Sequence, residues 1–171
     1  MALPPSFCTY RKSEKHRRVV RKSLHNQKDF LEIKQRILNL KPDAERKWGR
    51  MTAAQMLTHC SQVLKVPMKR TVLPKTFFLF RWIGILTKYE MKTFNNGIPP
   101  NMPTFKKLII NFDCDFNVSK RELLKTLDEY EEFRRHRKML SKHELFGKMT
   151  DENWGFLEYK HLNHHLKQFN V

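Results

Sequence analysis

"WGRMTAAQMLTHCSQVLKV", residues 48–66, decides the fold. Thr52 is a natural N-cap, because its hydroxyl can accept a backbone N–H from the first helical turn. Gln55 stands three residues later and completes a capping box, and Met51 ahead of the cap is set to pack on Met56 as a hydrophobic staple. The helix so opened is expected to run from 53 to about 65. Pro67 ends it and disfavours helical geometry at Val66. His59 falls on the face of Met56, Val63 and Val66, which is the face expected to be buried.

The same grammar recurs on both sides. From about 26 to 40, Phe30, Ile33, Ile37 and Leu40 repeat at the spacing of one helical face, and Pro42 stops the pattern. "VSKREL" (118–123) offers Ser119 as N-cap, Glu122 three residues on, and Val118 against Leu123 as staple; Leu123, Leu127 and Tyr130 follow at helical spacing. "MTDENW" (149–154) offers Thr150 as N-cap, Asp151 and Glu152 near the positive end of the helix, and Met149 against Trp154. This last helix is expected over 151 to about 169.

Four main helices result, with short links inside the first and last pairs and a long crossover, 67–118, between the second and third. The expected fold is all-α, a four-helix bundle with a crossover. Within the crossover, "FFLFRWIGIL" (77–86) reads as part of a buried helix near 75–92, with an interfacial helix as the alternative. It is interrupted by Arg81 and too short to cross a bilayer, which takes about 20 residues. "NNGIPPNMPT" (95–104) breaks regular structure, and "LIINF" (108–112) is the one plausible strand.

The chain has 171 residues, the length of one domain with a real core, and its five glycines favour helix over sheet. Residues 1–22 hold seven Lys or Arg against Glu14 and read as a mobile basic tail, with the bundle domain in 23–171. The net charge of +17 suits anionic partners or a solvated basic surface. No helix-turn-helix, zinc-finger or RNA-recognition signature accompanies it, so nucleic acid is not the expected partner. Cys8, Cys60 and Cys114 are odd in number and form no CxxC, which fits a reducing cytoplasm rather than a disulfide framework. No transmembrane segment is expected.

"YKHLNHHLKQF" (159–169) carries the chemistry. At 100° per residue His161 and His165 differ by 40° and lie one turn apart on one face, as two ligands of one ion require. Trp154, Glu158 and Gln168 share that stripe, and His164 is expected at its edge or on the surface. His59 lies about 10 Å along its helix from Thr52, and the midpoint of His161 and His165 lies about 12 Å from Val171. If the second and last helices run antiparallel, the three imidazoles share one level. Three histidines with an open position are the pattern of a catalytic zinc, nickel or iron site. A pair at i, i+4 is also common on helices without any ion.

"WGRMTAAQMLTHC" together with the ending "LFGKMTDENWGFLEYKHLNHHLKQFNV" resembles the DinB-like superfamily of metalloenzymes, over roughly residues 22–171. It is most similar to an uncharacterised branch that ends in KHLxHHLxQF. The resemblance implies an up-down-down-up four-helix bundle. It also implies a divalent metal held by His59 and by the pair His161 and His165, with Gln168 as the usual Gln after the second His. Where that branch has H-P-F-F-G, this chain has "HELFG" (143–147), so Glu144 replaces Pro and Leu145 replaces Phe. Relatives in the superfamily include thiol S-transferases, a thiol-using isomerase and presumed hydrolases, and related bundles often dimerise.

The expected function is therefore a metal-dependent hydrolase or thiol transferase acting on a small molecule, with a low-molecular-weight thiol as a candidate partner and a homodimer as the candidate assembly. The ion would lower the pKa of a water or thiol in its open position. Glu158, one turn before His161, is the candidate catalytic base or ligand-orienting group; the alternative is a solvent-facing partner of a neighbouring Lys. Cys60 points 100° away from His59 and is expected as a small buried hydrophobe, and His143 as a locally satisfied loop histidine. The competing function is a non-catalytic basic protein that binds nucleic acid or another anionic partner.

Overall fold

A computed structural model describes residues 21–171. The expected basic tail therefore lies, except for its last two residues, outside the described part. The fold is mostly helical. Its elements are α1 (Gln27–Asn39), α2 (Ala53–Leu64), α3 (Phe78–Phe94), a 3-10 turn (Lys106–Leu108), α4 (Phe116–His136), a hairpin of β1 (Lys142–His143) and β2 (Gly147–Lys148), and α5 (Asp151–Gln168).

Local chemistry sets most of these ends. Asn26 caps α1 by accepting from the N–H groups of Lys28 and Asp29. Thr52 and Gln55 close the expected capping box on α2. Thr150 accepts from Asn153 N–H at the start of α5. Ser119 is not the cap of α4. The helix begins a turn earlier, because the Asp115 carboxylate accepts from Val118 N–H at 2.7 Å and a negative charge is the better partner for the positive end of a helix. Ser119 lies inside the helix, and its hydroxyl meets that of Thr58 at 3.0 Å.

Four helices share the core. Ile33 and Ile37 of α1, Met56 and Leu57 of α2, Leu123 and Leu127 of α4, and Trp154 and Leu162 of α5 are all buried together. The partner pairs give the sense of each packing. Thr58 meets Ser119, Ser61 meets Thr126, and Arg70 meets Glu129, so α4 runs alongside α2 in the same direction. His25 meets Tyr130, Lys34 meets Asp128, and Lys120 reaches the carbonyl of Leu40, so α1 and α4 run oppositely. Glu32 accepts from Tyr159 and Arg36 donates to Asn163, which sets α1 and α5 in the same sense.

"LIINF" is not a strand. Leu108 ends the 3-10 turn, and Ile109 and Phe112 are exposed, with no strand among the described residues paired to them. The strands lie instead at 142–143 and 147–148, where Gly147 takes the left-handed conformation (φ +69°) that a tight hairpin needs. His143 sits there as a locally satisfied histidine, with Nδ1 accepting from the N–H groups of Leu145 and Phe146.

The apolar run 77–86 forms a helix, but not a buried one. Phe78, Trp82 and Leu86 are all more than 60 % exposed. What α3 buries is Gly84, Lys88 and Met91, and Lys88 donates to the carbonyls of Phe146 and Lys148. Tertiary seating on the hairpin overrides the hydrophobic pattern. No helix among the described residues is long and apolar enough to cross a membrane.

Candidate metal centre

Two of the best-formed helices supply the three imidazoles. The Thr52 capping box fixes the phase of α2, and six residues into the helix that phase turns His59 inward, where it is 3 % exposed. On α5, His165 is 8 % exposed and His161 keeps partial exposure. Each histidine offers one ring nitrogen, and the three nitrogens lie within 4.8 Å of one another. His59 Nε2 and His161 Nε2 are 3.1 Å apart.

Hydrogen bonds from outside the cluster set the ring orientations. His59 Nδ1 lies 2.8 Å from the carbonyl of Leu108. A carbonyl only accepts, so Nδ1 carries the proton and Nε2 is left as a bare lone pair. Gln168 donates through Nε2 to the carbonyl of Trp48 at 2.6 Å, which turns its Oε1 to His165 Nδ1 at 3.0 Å. His165 therefore carries its proton on Nδ1 as well, and its Nε2 is bare. The Nδ1 of His161 is cut off from solvent with no partner among the described residues. His164 faces the other way, with Nδ1 at 2.9 Å from the carbonyl of Ile98 and its ring beside Trp48.

The electrostatics keep this cluster neutral. Burial pushes the pKa of His59 down, and that of His161 well down, the latter helped by His165 and His59 beside it. Burial, and then His59, push His165 to about 3. Neutral imidazoles are what a metal needs as ligands. Nitrogens at about 2.0–2.1 Å from a tetrahedral ion stand about 3.4 Å apart, close to the His59–His161 spacing. The donor set fits a borderline divalent cation such as zinc.

Glu158 does not join the three nitrogens. It is 1 % exposed, so it is not the solvent-facing partner of a lysine, and its Oε2 has no hydrogen-bond partner among the described residues. Burial raises its pKa to about 8. Its charge bears on Cys60 and Tyr130, whose pKa values are pushed up first by burial and then by Glu158. Cys60 is the small buried hydrophobe expected from the sequence.

A family model described as protein of unknown function (DUF1569) matches residues 20–171. The chain belongs to the DUF1569 family. No curated protein and no solved structure matches it. The DUF1569 match takes in both helices of the cluster and the two carbonyls that steady it. Those carbonyls, of Leu108 and Trp48, are what the side-chain pattern does not show. Every residue has a carbonyl, so none carries a signal in the sequence.

Proposed function

We propose that this chain is a divalent-metal-dependent enzyme of the DinB-like type, a hydrolase or thiol S-transferase acting on a small molecule through His59, His161 and His165. The observation that carries the reading is the convergence of two bare Nε2 atoms and a third imidazole, held by Leu108 and Gln168 from behind. When bound, a divalent ion supplies Lewis acidity at that point, which brings the pKa of a hydroxyl or thiol toward neutrality.

The protein's own groups orient and exclude water. The Leu108 carbonyl and Gln168 Oε1 hold two rings in the tautomer that leaves Nε2 free. Glu158, buried one turn before His161 with its Oε2 unpartnered among the described residues, is the group we assign to carry a proton, and in the metal-free protein burial raises its pKa to about 8. The scaffold we infer is an up-down-down-up four-helix bundle of α1, α2, α4 and α5, with α3 in the crossover. The direction of the partner pairs supports it: α2 and α4 run together, as do α1 and α5, and the two sets are opposed where α1 meets α4. The cysteine chemistry of the sequence adds support for a reducing, cytoplasmic setting.

Metal analysis after reconstitution with zinc, nickel or iron and gel filtration tests the reading. About one equivalent is expected in the wild type, with its loss in His59→Ala. A metal-free wild type, or a His59→Ala variant that retains as much ion, would sink it.

A further inference from the structure

The amphipathicity of α3 is inverted. Its inner face carries a glycine and a lysine: an added Cβ at Gly84 would stand 2.5 Å from the backbone oxygen of Leu145, and Lys88 Nζ is held by two hairpin carbonyls at 2.7 and 2.8 Å. The helix is thereby seated tightly on the hairpin with its other side outward. At 100° per residue, Phe78, Trp82, Leu86, Leu79, Ile83 and Phe94 fall within one arc of about 160°, and each is more than half exposed. Over Phe78–Leu86 the arc is wholly apolar, and only beyond Leu86 do Thr93 and the exposed Glu90, which accepts from Asn96, enter it. An exposed apolar surface of this kind marks a site of interaction rather than ordinary surface.

The charge around the arc selects the occupant. Arg81 lies beside one edge of it and the exposed Lys75 stands just ahead of the helix, whereas Lys92, on the Arg81 side, is tied inward to Asn153 of α5. Between residues 71 and 112 there are six Lys or Arg, of which Lys88 is buried on the hairpin, against one acid, Glu90, and none of the six makes an ion pair with a carboxylate among the described residues. The whole chain carries +17. A second copy laid on this face would oppose two basic rims. An anionic bilayer surface complements them, because aromatic and aliphatic side chains enter the headgroup boundary while long basic side chains reach the phosphates. With 17 residues, α3 is about 25 Å long and suited to lie in that plane.

We propose that α3 is a docking helix for anionic phospholipid surfaces, with Trp82 and Leu86 at the centre of the inserted face. The test is co-sedimentation of the full chain with vesicles of phosphatidylcholine alone and of phosphatidylcholine mixed with phosphatidylglycerol. Binding is expected to the mixed vesicles only, to weaken as salt is raised, and to fall by about tenfold or more in a Trp82→Ser/Leu86→Ser double variant, since two large apolar groups no longer leave water. Both positions are exposed, so the variant should keep the wild-type circular dichroism and melting temperature. Equal binding of variant and wild type to mixed vesicles would reduce the effect to charge alone and overturn the proposal. Absence of binding to either vesicle would overturn it too, as would a wild-type dimer in sedimentation velocity that the double variant dissociates.

Discussion

His59 Nε2 and His161 Nε2 face each other at 3.1 Å across α2 and α5. His59 has its proton committed to the Leu108 carbonyl, so its Nε2 presents a lone pair. If His161 donates to that lone pair, its own Nδ1 is left bare and buried; if it does not, two lone pairs oppose each other. A cation between them removes the repulsion. Zinc added to metal-free protein is therefore expected to raise the melting temperature, by the equivalent of about 2.7 kcal/mol at a hundredfold excess over Kd. A His161→Ala variant should show little of that shift. Equal shifts in both proteins would refute the arrangement.

Gln168 links the cluster to the loop before α2 through the Trp48 carbonyl. Replacing it by Leu frees the His165 ring and its tautomer. Metal affinity, measured by competition with a chelator, should drop roughly 10–100-fold. An unchanged affinity would show that the ring is held by packing alone.

Glu158 has a folded-state pKa of about 8, raised by burial. The folded state therefore holds its proton more tightly than the unfolded chain does. That contribution to stability is complete below the unfolded pKa of 4.5 and is lost as pH rises from there through about 8. A Glu158→Gln variant carries no such charge. It should match the wild type near pH 5 and exceed it by a few kcal/mol above the folded pKa, in urea titrations of metal-free protein. Parallel pH profiles would mean that the carboxylate ionises without penalty.

Asp115 and Ser119 are distinguished by one pair of substitutions. Asp115→Ala removes the accepting carboxylate at Val118 N–H and should cost about 0.5–2 kcal/mol. Ser119→Ala, one turn into the helix, loses only the hydroxyl contact with Thr58, whose hydroxyl also meets the Ala54 carbonyl, and should cost less. The reverse order in denaturant midpoints would restore Ser119 as the cap.

Gly84→Ala places a methyl group 2.5 Å from the oxygen and Cγ of Leu145. A backbone oxygen cannot swing aside as a side chain can. The expected cost is about 1–3 kcal/mol, with faster amide exchange in α3 and the hairpin than in α2. Unchanged exchange would mean that α3 is not tightly seated there.

Helix positions and their phases were written in the sequence, because caps and apolar periodicity act within a few residues. Thr52 and Gln55, Thr150, and the stripe of Phe30, Ile33 and Ile37 specify α2, α5 and α1 wherever those helices end up. Phase on a helix also fixes which histidines share a face, so His59, His161 and His165 could be singled out before any contact was known. What only the tertiary structure decided are properties of surfaces meeting: that the three rings converge, and that Leu108 of the 3-10 turn and Trp48 of the loop before α2 lend them carbonyls. It also turned Glu158 inward, beside Cys60 and Tyr130, and α3 outward. Periodicity can show that a helix has an apolar face, but which face is buried depends on what packs against it. For α3, the close approach at Gly84 and the two carbonyls waiting for Lys88 leave the apolar face to the outside.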